Sequence, residues 1–193
     1  MIRPIIAYGD PVLRKKAVEI EADYPDLNLL LEDMFETMYN SQGVGLAAPQ
    51  IGLSIRLFII DAEPFVDEDE EDVDGLRDFK RVIINPIIIE ETGTEWKFEE
   101  GCLSIPGIRE DVSRKPDIIV EYYNENFELV EEKLSGLAAR VVQHEYDHIE
   151  GILFTDKINP LKKQLLKGKL NDITKGNIKV NYRMKFPLVK GKK

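Results

Sequence analysis

The sequence predicts one domain over residues 1–193 that mixes helices with strands and is built about a buried helix near residue 144. Three observations carry this. Leu27, Leu30, Leu31, Met34, Phe35 and Met38 recur at helical spacing, which predicts a helix from about Asp26 to Asn40. Several short apolar or alternating stretches between residues 54 and 134 read as strands. At about 100° per residue, Leu137, Val141, His144 and His148 fall in one narrow arc, so both histidines project with the apolar stripe towards the interior.

Composition limits the alternatives. A length of 193 residues suffices for a sizeable core, and 43% hydrophobic with 32% charged residues is the balance of a water-soluble globular chain. No apolar run is long enough to span a membrane, and the opening residues turn polar too soon for a secretory signal. One cysteine, Cys102, excludes an internal disulfide and fits a reducing compartment, so a cytoplasmic protein is expected. The net charge of −10 is uneven: residues 157–193 carry twelve Lys or Arg against one acid, a net +11, which leaves −21 on the rest. That basic segment is either a solvated tail or a transient contact for an anionic partner such as ribosomal RNA. No nucleic-acid motif is recognisable, and no DNA or membrane partner is expected.

Taken in order, Pro4–Ala17 is expected to be an extended arm with a turn at Gly9-Asp10-Pro11. The methionines of the first helix read as core. The stretch 43–52 is rich in small residues, which permits close backbone approach, although a plain tight connection is the competing reading. Gln50 is its one side chain that both donates and accepts. Ser54–Asp61 reads as a buried strand. Ten acids in residues 61–78 repel one another, which predicts a mobile surface insertion. Arg81–Glu91 is a strand that Pro86 should make irregular or an edge. Thr94–Glu99 alternates, with Trp96 and Phe98 on one face. Ile118–Tyr123 and Phe127–Leu134 form a hairpin, and Ser135 is the expected N-cap of the helix bearing the histidines. Gly151 should end that helix. A last helix from about Asn159 or Pro160 should turn Leu161, Leu165, Leu166 and Leu170 inward, with a basic extension over 171–193.

His144-Glu145-Tyr146-Asp147-His148 is H-E-x-x-H, the spacing that lets two imidazoles on one helix face share a metal ion with a carboxylate beside them. A catalytic site needs a third ligand and an open position. Phe154 stands where one class of such sites has a third histidine, and no Glu follows Glu150. Asp156 and Asp172 remain open as ligands. Cys102 is the better candidate, because a thiolate binds strongly and no further imidazole or thiol exists. Such a site could activate water for amide hydrolysis, with Glu145 as general base and with Gln50 and the backbone N–H after Cys102 as oxyanion donors.

Three stretches, Gly43-Val44-Gly45-Leu46-Ala47-Ala48-Pro49-Gln50, Glu100-Gly101-Cys102-Leu103-Ser104 and His144–His148, resemble in order and spacing the motifs of the peptide deformylase family. The opening Gly9–Arg14 is similar too, and the resemblance covers about residues 1–160. It implies an α+β fold, mixed mainly antiparallel sheets packed around the central helix carrying H-E-x-x-H, with an N-terminal and a C-terminal helix. It implies removal of the formyl group from the N-terminal formyl-methionine of new polypeptides. Cys102, His144 and His148 would be metal ligands, for Fe²⁺ by family habit, with Zn²⁺, Ni²⁺ or Co²⁺ also accommodated. Glu145 would be the general acid/base, and Gln50 with the Leu103 amide would stabilise the oxyanion. Val44, Gly45 and Gly101 would line an extended substrate, Leu137 and Val141 the methionine pocket, and Arg109 the peptide backbone. Phe154 and the missing downstream Glu argue against a peptidase of internal bonds. An intact Glu145 and Gln50 argue against a non-catalytic metal-binding homologue.

Overall fold

The computed structural model describes residues 1–66 and 75–187. It is α+β. A five-stranded antiparallel sheet runs in the order β2 (Gly45–Ala47), β3 (Leu57–Asp61), β4 (Lys80–Thr92), β7 (Asp117–Tyr123), β8 (Leu129–Ser135). A separate antiparallel hairpin pairs β5 (Trp96–Cys102) with β6 (Ile105–Arg114). Near the two ends of the chain, β1 (Ile5–Ile6) pairs in parallel with β9 (Met184–Lys185). The helices are α1 (Leu27–Asn40), α2 (Gly136–Ile149) and α3 (Pro160–Lys175).

All five residues of β3 are buried because the sheet is covered on both faces. Side chains alternate along a strand. Phe58 and Ile60 therefore meet Ala138, Val141, Val142 and Ile149 of α2, while Leu57 and Ile59 meet Leu30, Leu31, Met34 and Met38 of α1. A third cluster joins Ile105, Ile108 and Val112 of β6 to Leu153, Phe154, Leu170 and Ile173. The methionines of α1 are core, as their spacing predicts.

Two expectations from the sequence hold in one part only, and two about the last helix need correction. Pro86 makes β4 irregular, one of the two outcomes expected of it, and does not make it an edge. The strand lies between β3 and β7, its register with β7 shifts between Ile84 and Ile87, and the freed Pro86 carbonyl accepts from Arg56 at 2.8 Å. Ser135 occupies the N-cap position of α2 without a side-chain cap bond. Leu161 and Leu165 of α3 are exposed, and the inward stripe is Leu166, Leu170 and Ile173. That phase is offset by one position because Leu166, Leu170 and Ile173 are the residues that join the third cluster with Ile105, Ile108 and Val112. The helix also continues to Lys175, past the expected start of the extension at 171. Of the acidic run, residues 67–74 lie outside the described residues, as do 188–193 at the basic end, so the mobile insertion expected there lies partly outside them. The described flanks are anchored, with Ala62 and Leu76 in the core.

Asp156 fastens three parts of this frame. It pairs with Arg14 of the N-terminal arm, accepts from Lys163 of α3 at 2.7 Å, and accepts from the Leu153 amide at 3.0 Å. Burial pushes its carboxyl up, but the hydrogen bonds from Arg14 and Lys163 outweigh burial and bring it to about 2. A carboxyl lowered on folding contributes stability above its unfolded value of 3.8 that disappears as pH falls through the folded one. Asp156→Asn is therefore expected to cost about 1–2 kcal/mol at neutral pH. Denaturant titrations of both proteins should show that difference shrinking between roughly pH 4 and pH 2.

Candidate active site

Helix α2 is buried on both sides, and its two faces differ in kind. One face is apolar. The other presents Arg140, Gln143 and Asp147, all buried, which is tolerable only because each finds a partner. Arg114 of β6 bonds Glu100 at 2.7 and 2.9 Å and Asp147 at 2.7 Å. Arg140 reaches Glu100 at 3.0 Å and the Trp96 carbonyl at 2.9 Å, with its guanidinium 4.5 Å from the Trp96 ring. Lys157 completes Asp147 at 3.1 Å.

This network ends on a histidine. The His144 Nδ1–H donates at 2.9 Å to Glu100 Oε2, the oxygen that also accepts from Arg114, which fixes the ring and leaves Nε2 to the donor cluster with Cys102 and His148. Burial raises the Glu100 carboxyl, but Arg114 and His144 overcome that and hold it well below the usual carboxylate range. Burial likewise disfavours charge on His144, yet its bonds to Cys102 and Glu100 raise it, whereas burial and the neighbouring His144 charge lower His148.

The donor atoms of Cys102, His144 and His148 lie within 4.8 Å of one another, with Cys102 Sγ 3.2 Å from His148 Nε2. The set fits a divalent cation: one soft sulfur and two imidazoles suit Fe²⁺, Zn²⁺, Ni²⁺ or Co²⁺. Asp156 is engaged with Arg14, Lys163 and the Leu153 amide, and Asp172 has no place in the cluster. Phe154, standing where another class has a histidine, is buried and stacks on His144 at 6.2 Å as an apolar wall.

Glu145 is buried beside this cluster, and its Oε2 has no hydrogen-bond partner. Burial pushes its carboxyl up to about 7, against the pull of His144. It lies directly over Gly45, where a Cβ would stand 2.5 Å from Oε1. Gly45→Ala should therefore displace the carboxylate and lower kcat about tenfold or more while metal content stays unchanged, measured by steady-state assay with metal analysis.

Gln50 sits on a 3-10 turn, Ala48–Ile51, that follows β2. The Ala47 N–H donates to its Oε1 at 2.8 Å, so Nε2 is turned towards the β5–β6 tip, 3.4 Å from both Cys102 Sγ and Ser104 Oγ. Leu103 lies at the tip of the β5–β6 hairpin, where Cys102 pairs with Ile105. Among the described residues its N–H donates to no protein acceptor. Val44, Leu137 and Val141 share the apolar cluster beneath α2. Gly101 faces Arg109 across the hairpin, and Arg109 itself is exposed, with only a 3.8 Å approach to Glu99.

The structure thus brings Gln50, Cys102, His144 and His148 to one place and groups Val44, Leu137 and Val141 nearby. Arg109 remains at the rim. Sequence reasoning missed the roles of Glu100, Arg114, Arg140 and Asp147 around the histidines. The available signal was charge on the second face of a helix whose first face already points inward.

Convergent cation donors, a buried carboxylate with an unpartnered oxygen and an oriented amide are the parts a metal-dependent amide hydrolase uses, and the family of the chain is of that class. The polypeptide deformylase family model matches residues 2–164. A peptide deformylase of Christiangramia forsetii is 62% identical over 98% of each chain, and that of Flavobacterium psychrophilum is 57% identical over 96% of this chain and 97% of its own. Among solved structures, a peptide deformylase from Legionella pneumophila superposes with a TM-score of 0.77 at 40% identity, covering 92% of this chain and 98% of that one. The one from Thermotoga maritima gives 0.72 at 42%, covering 83% and 99%. The chain belongs to the peptide deformylase family. Among the described residues no helix is long and apolar enough to cross a membrane.

Proposed function

We propose that the chain hydrolyses the formamide at the N-terminus of formyl-methionyl nascent peptides, with Cys102, His144 and His148 holding one divalent metal ion, Fe²⁺ in the cell. The observation that carries this reading is the convergence of three ligand atoms within 4.8 Å beside the unpartnered Glu145 carboxylate oxygen. When bound, the metal supplies Lewis acidity, which makes water a nucleophile near neutral pH and polarises a carbonyl.

The chain's own groups do the rest. Glu145 takes the proton from the attacking water and passes it to the amine as the carbon–nitrogen bond breaks, so that formate and a free N-terminus leave. The Gln50 Nε2 and the Leu103 N–H donate to the carbonyl oxygen as it gains charge. Backbone at Val44, Gly45 and Gly101 pairs with an extended peptide, Leu137 and Val141 receive the methionine side chain, and Arg109 meets the chain farther out.

Formate release from a formyl-methionyl peptide, with metal analysis on the same anaerobic Fe²⁺-loaded sample, tests this. One metal per chain without formate would sink it. Cys102→Ala is expected to lose the metal, and unchanged metal affinity in that variant would remove the thiolate from the ligand set.

A further inference from the structure

The Cys102–Ile105 tip is held from outside by both ends of the chain. The Tyr8 N–H donates to the Ser104 carbonyl at 2.9 Å, and the Tyr182 hydroxyl donates to the Leu103 carbonyl at 2.8 Å. These two anchors are themselves joined. Ile5 N–H bonds the Arg183 carbonyl and Ala7 N–H bonds the Lys185 carbonyl, each at 2.9 Å, which makes the β1–β9 pair. Leu103, Tyr182 and Met184 all pack against the same apolar cluster under α1. A segment 79 residues away in sequence therefore ends on the loop that carries the candidate thiolate ligand.

We propose that Tyr182 is a positioning residue: its hydroxyl holds the Leu103 carbonyl and thereby aims the Leu103 N–H at the reacting oxygen. The claim rests on the reading of that N–H as an oxyanion donor. Leu103 lies outside the strand ladder, so neither of its peptide planes is restrained by regular pairing. Tethering its carbonyl fixes the Leu103–Ser104 plane, while the N–H lies in the neighbouring Cys102–Leu103 plane, which the Cys102–Ile105 pair bounds from the other side; the tether therefore acts on the N–H through the backbone dihedrals at Leu103. An oxyanion donor works only within about 2.7–3.1 Å of the oxygen's transition-state position. A change in the Leu103 dihedrals that tilts the Cys102–Leu103 plane, and the N–H with it, should therefore weaken the transition state more than substrate binding, and appear in kcat before KM.

Tyr182→Phe removes only the hydroxyl. In Zn²⁺-loaded full-length protein labelled with ¹⁵N-leucine, the Leu103 amide resonance should move and exchange faster with solvent, while the leucines of α1 stay in place. On the same protein, kcat for formate release should fall about tenfold with KM within about twofold and metal content unchanged. Met184→Ala is the control, because it loosens the packing of the same strand and should lower Tm while keeping kcat.

A Leu103 resonance that does not move in Tyr182→Phe, or a Met184→Ala that lowers kcat as far as Tyr182→Phe does, overturns the inference. In the wild type, a Tyr182 hydroxyl proton with no nuclear Overhauser contact to Leu103 or Ser104 overturns it even if the phenylalanine variant does not fold. A wild type that releases no formate defeats the parent reading, and this role with it. Formate release with an unmoved Leu103 resonance defeats this inference alone.

Discussion

Replacing Glu145 with glutamine is expected to lower the rate of formate release by about 10²–10⁴-fold and to leave one metal per chain in place. The effect follows from where the carboxylate sits. It is buried over Gly45, it contributes nothing to the Cys102–His144–His148 donor set, and one of its oxygens has no partner among the described residues. A buried carboxylate with an unsatisfied oxygen is costly to keep, and in the proposed reaction that oxygen is the one that takes up the proton. Glutamine preserves the volume and removes the basicity, so stability should hold while turnover collapses. A variant that retains activity within threefold of wild type would show that another group moves the proton.

The second large effect is on stability. Arg114→Met leaves Glu100 with Arg140 and His144, and Asp147 with Lys157, but takes away the guanidinium that joins the two carboxylates. Breaking a buried ion pair from one side costs about 3–5 kcal/mol, because the remaining charge stays buried. For a chain of this length that corresponds to a Tm loss of roughly 6–20 °C. Metal affinity should fall about 10–100-fold as well, since Glu100 orients His144. The wild-type contribution of Glu100 has a definite sign with pH. Its folded carboxyl lies below its ordinary value of 4.5, so the stabilisation is present above that pH and lost as the solution is acidified. Thermal melts across pH 3–7 with metal titration on both proteins check these statements. A Tm change under about 2 °C would mean that the network is dispensable.

Much of this protein was legible in order along the chain. The stripe in α1, the apolar run of β3, the β7–β8 hairpin and the arc of α2 are local patterns. Period 3.6 and period 2 report which side of an element is apolar without reference to a partner. H-E-x-x-H is local in the same sense, because helix geometry alone brings His144 and His148 to one face. Scarcity then pointed to Cys102, as a chain with two histidines and one cysteine has few ways to complete three ligands.

The rest was decided by contacts between segments far apart in sequence. Pro86 could be expected to disturb its strand, but its central place in the sheet depends on which strands flank it. Leu161 and Leu165 are apolar at helical spacing and still face outward, because the docking partner of α3 selects the phase and a stripe of leucines does not. Glu100, Arg114, Arg140 and Asp147 come from β5, β6 and α2, and only their assembly turns four ordinary surface-type charges into a buried support for His144. Tyr182 gives no local sign of its bond to Leu103. Amphipathic periodicity is carried by neighbours along the chain, whereas burial of charge, helix phase and carbonyl tethering are settled only when distant elements meet, and those meetings give the candidate metal ligands their surroundings.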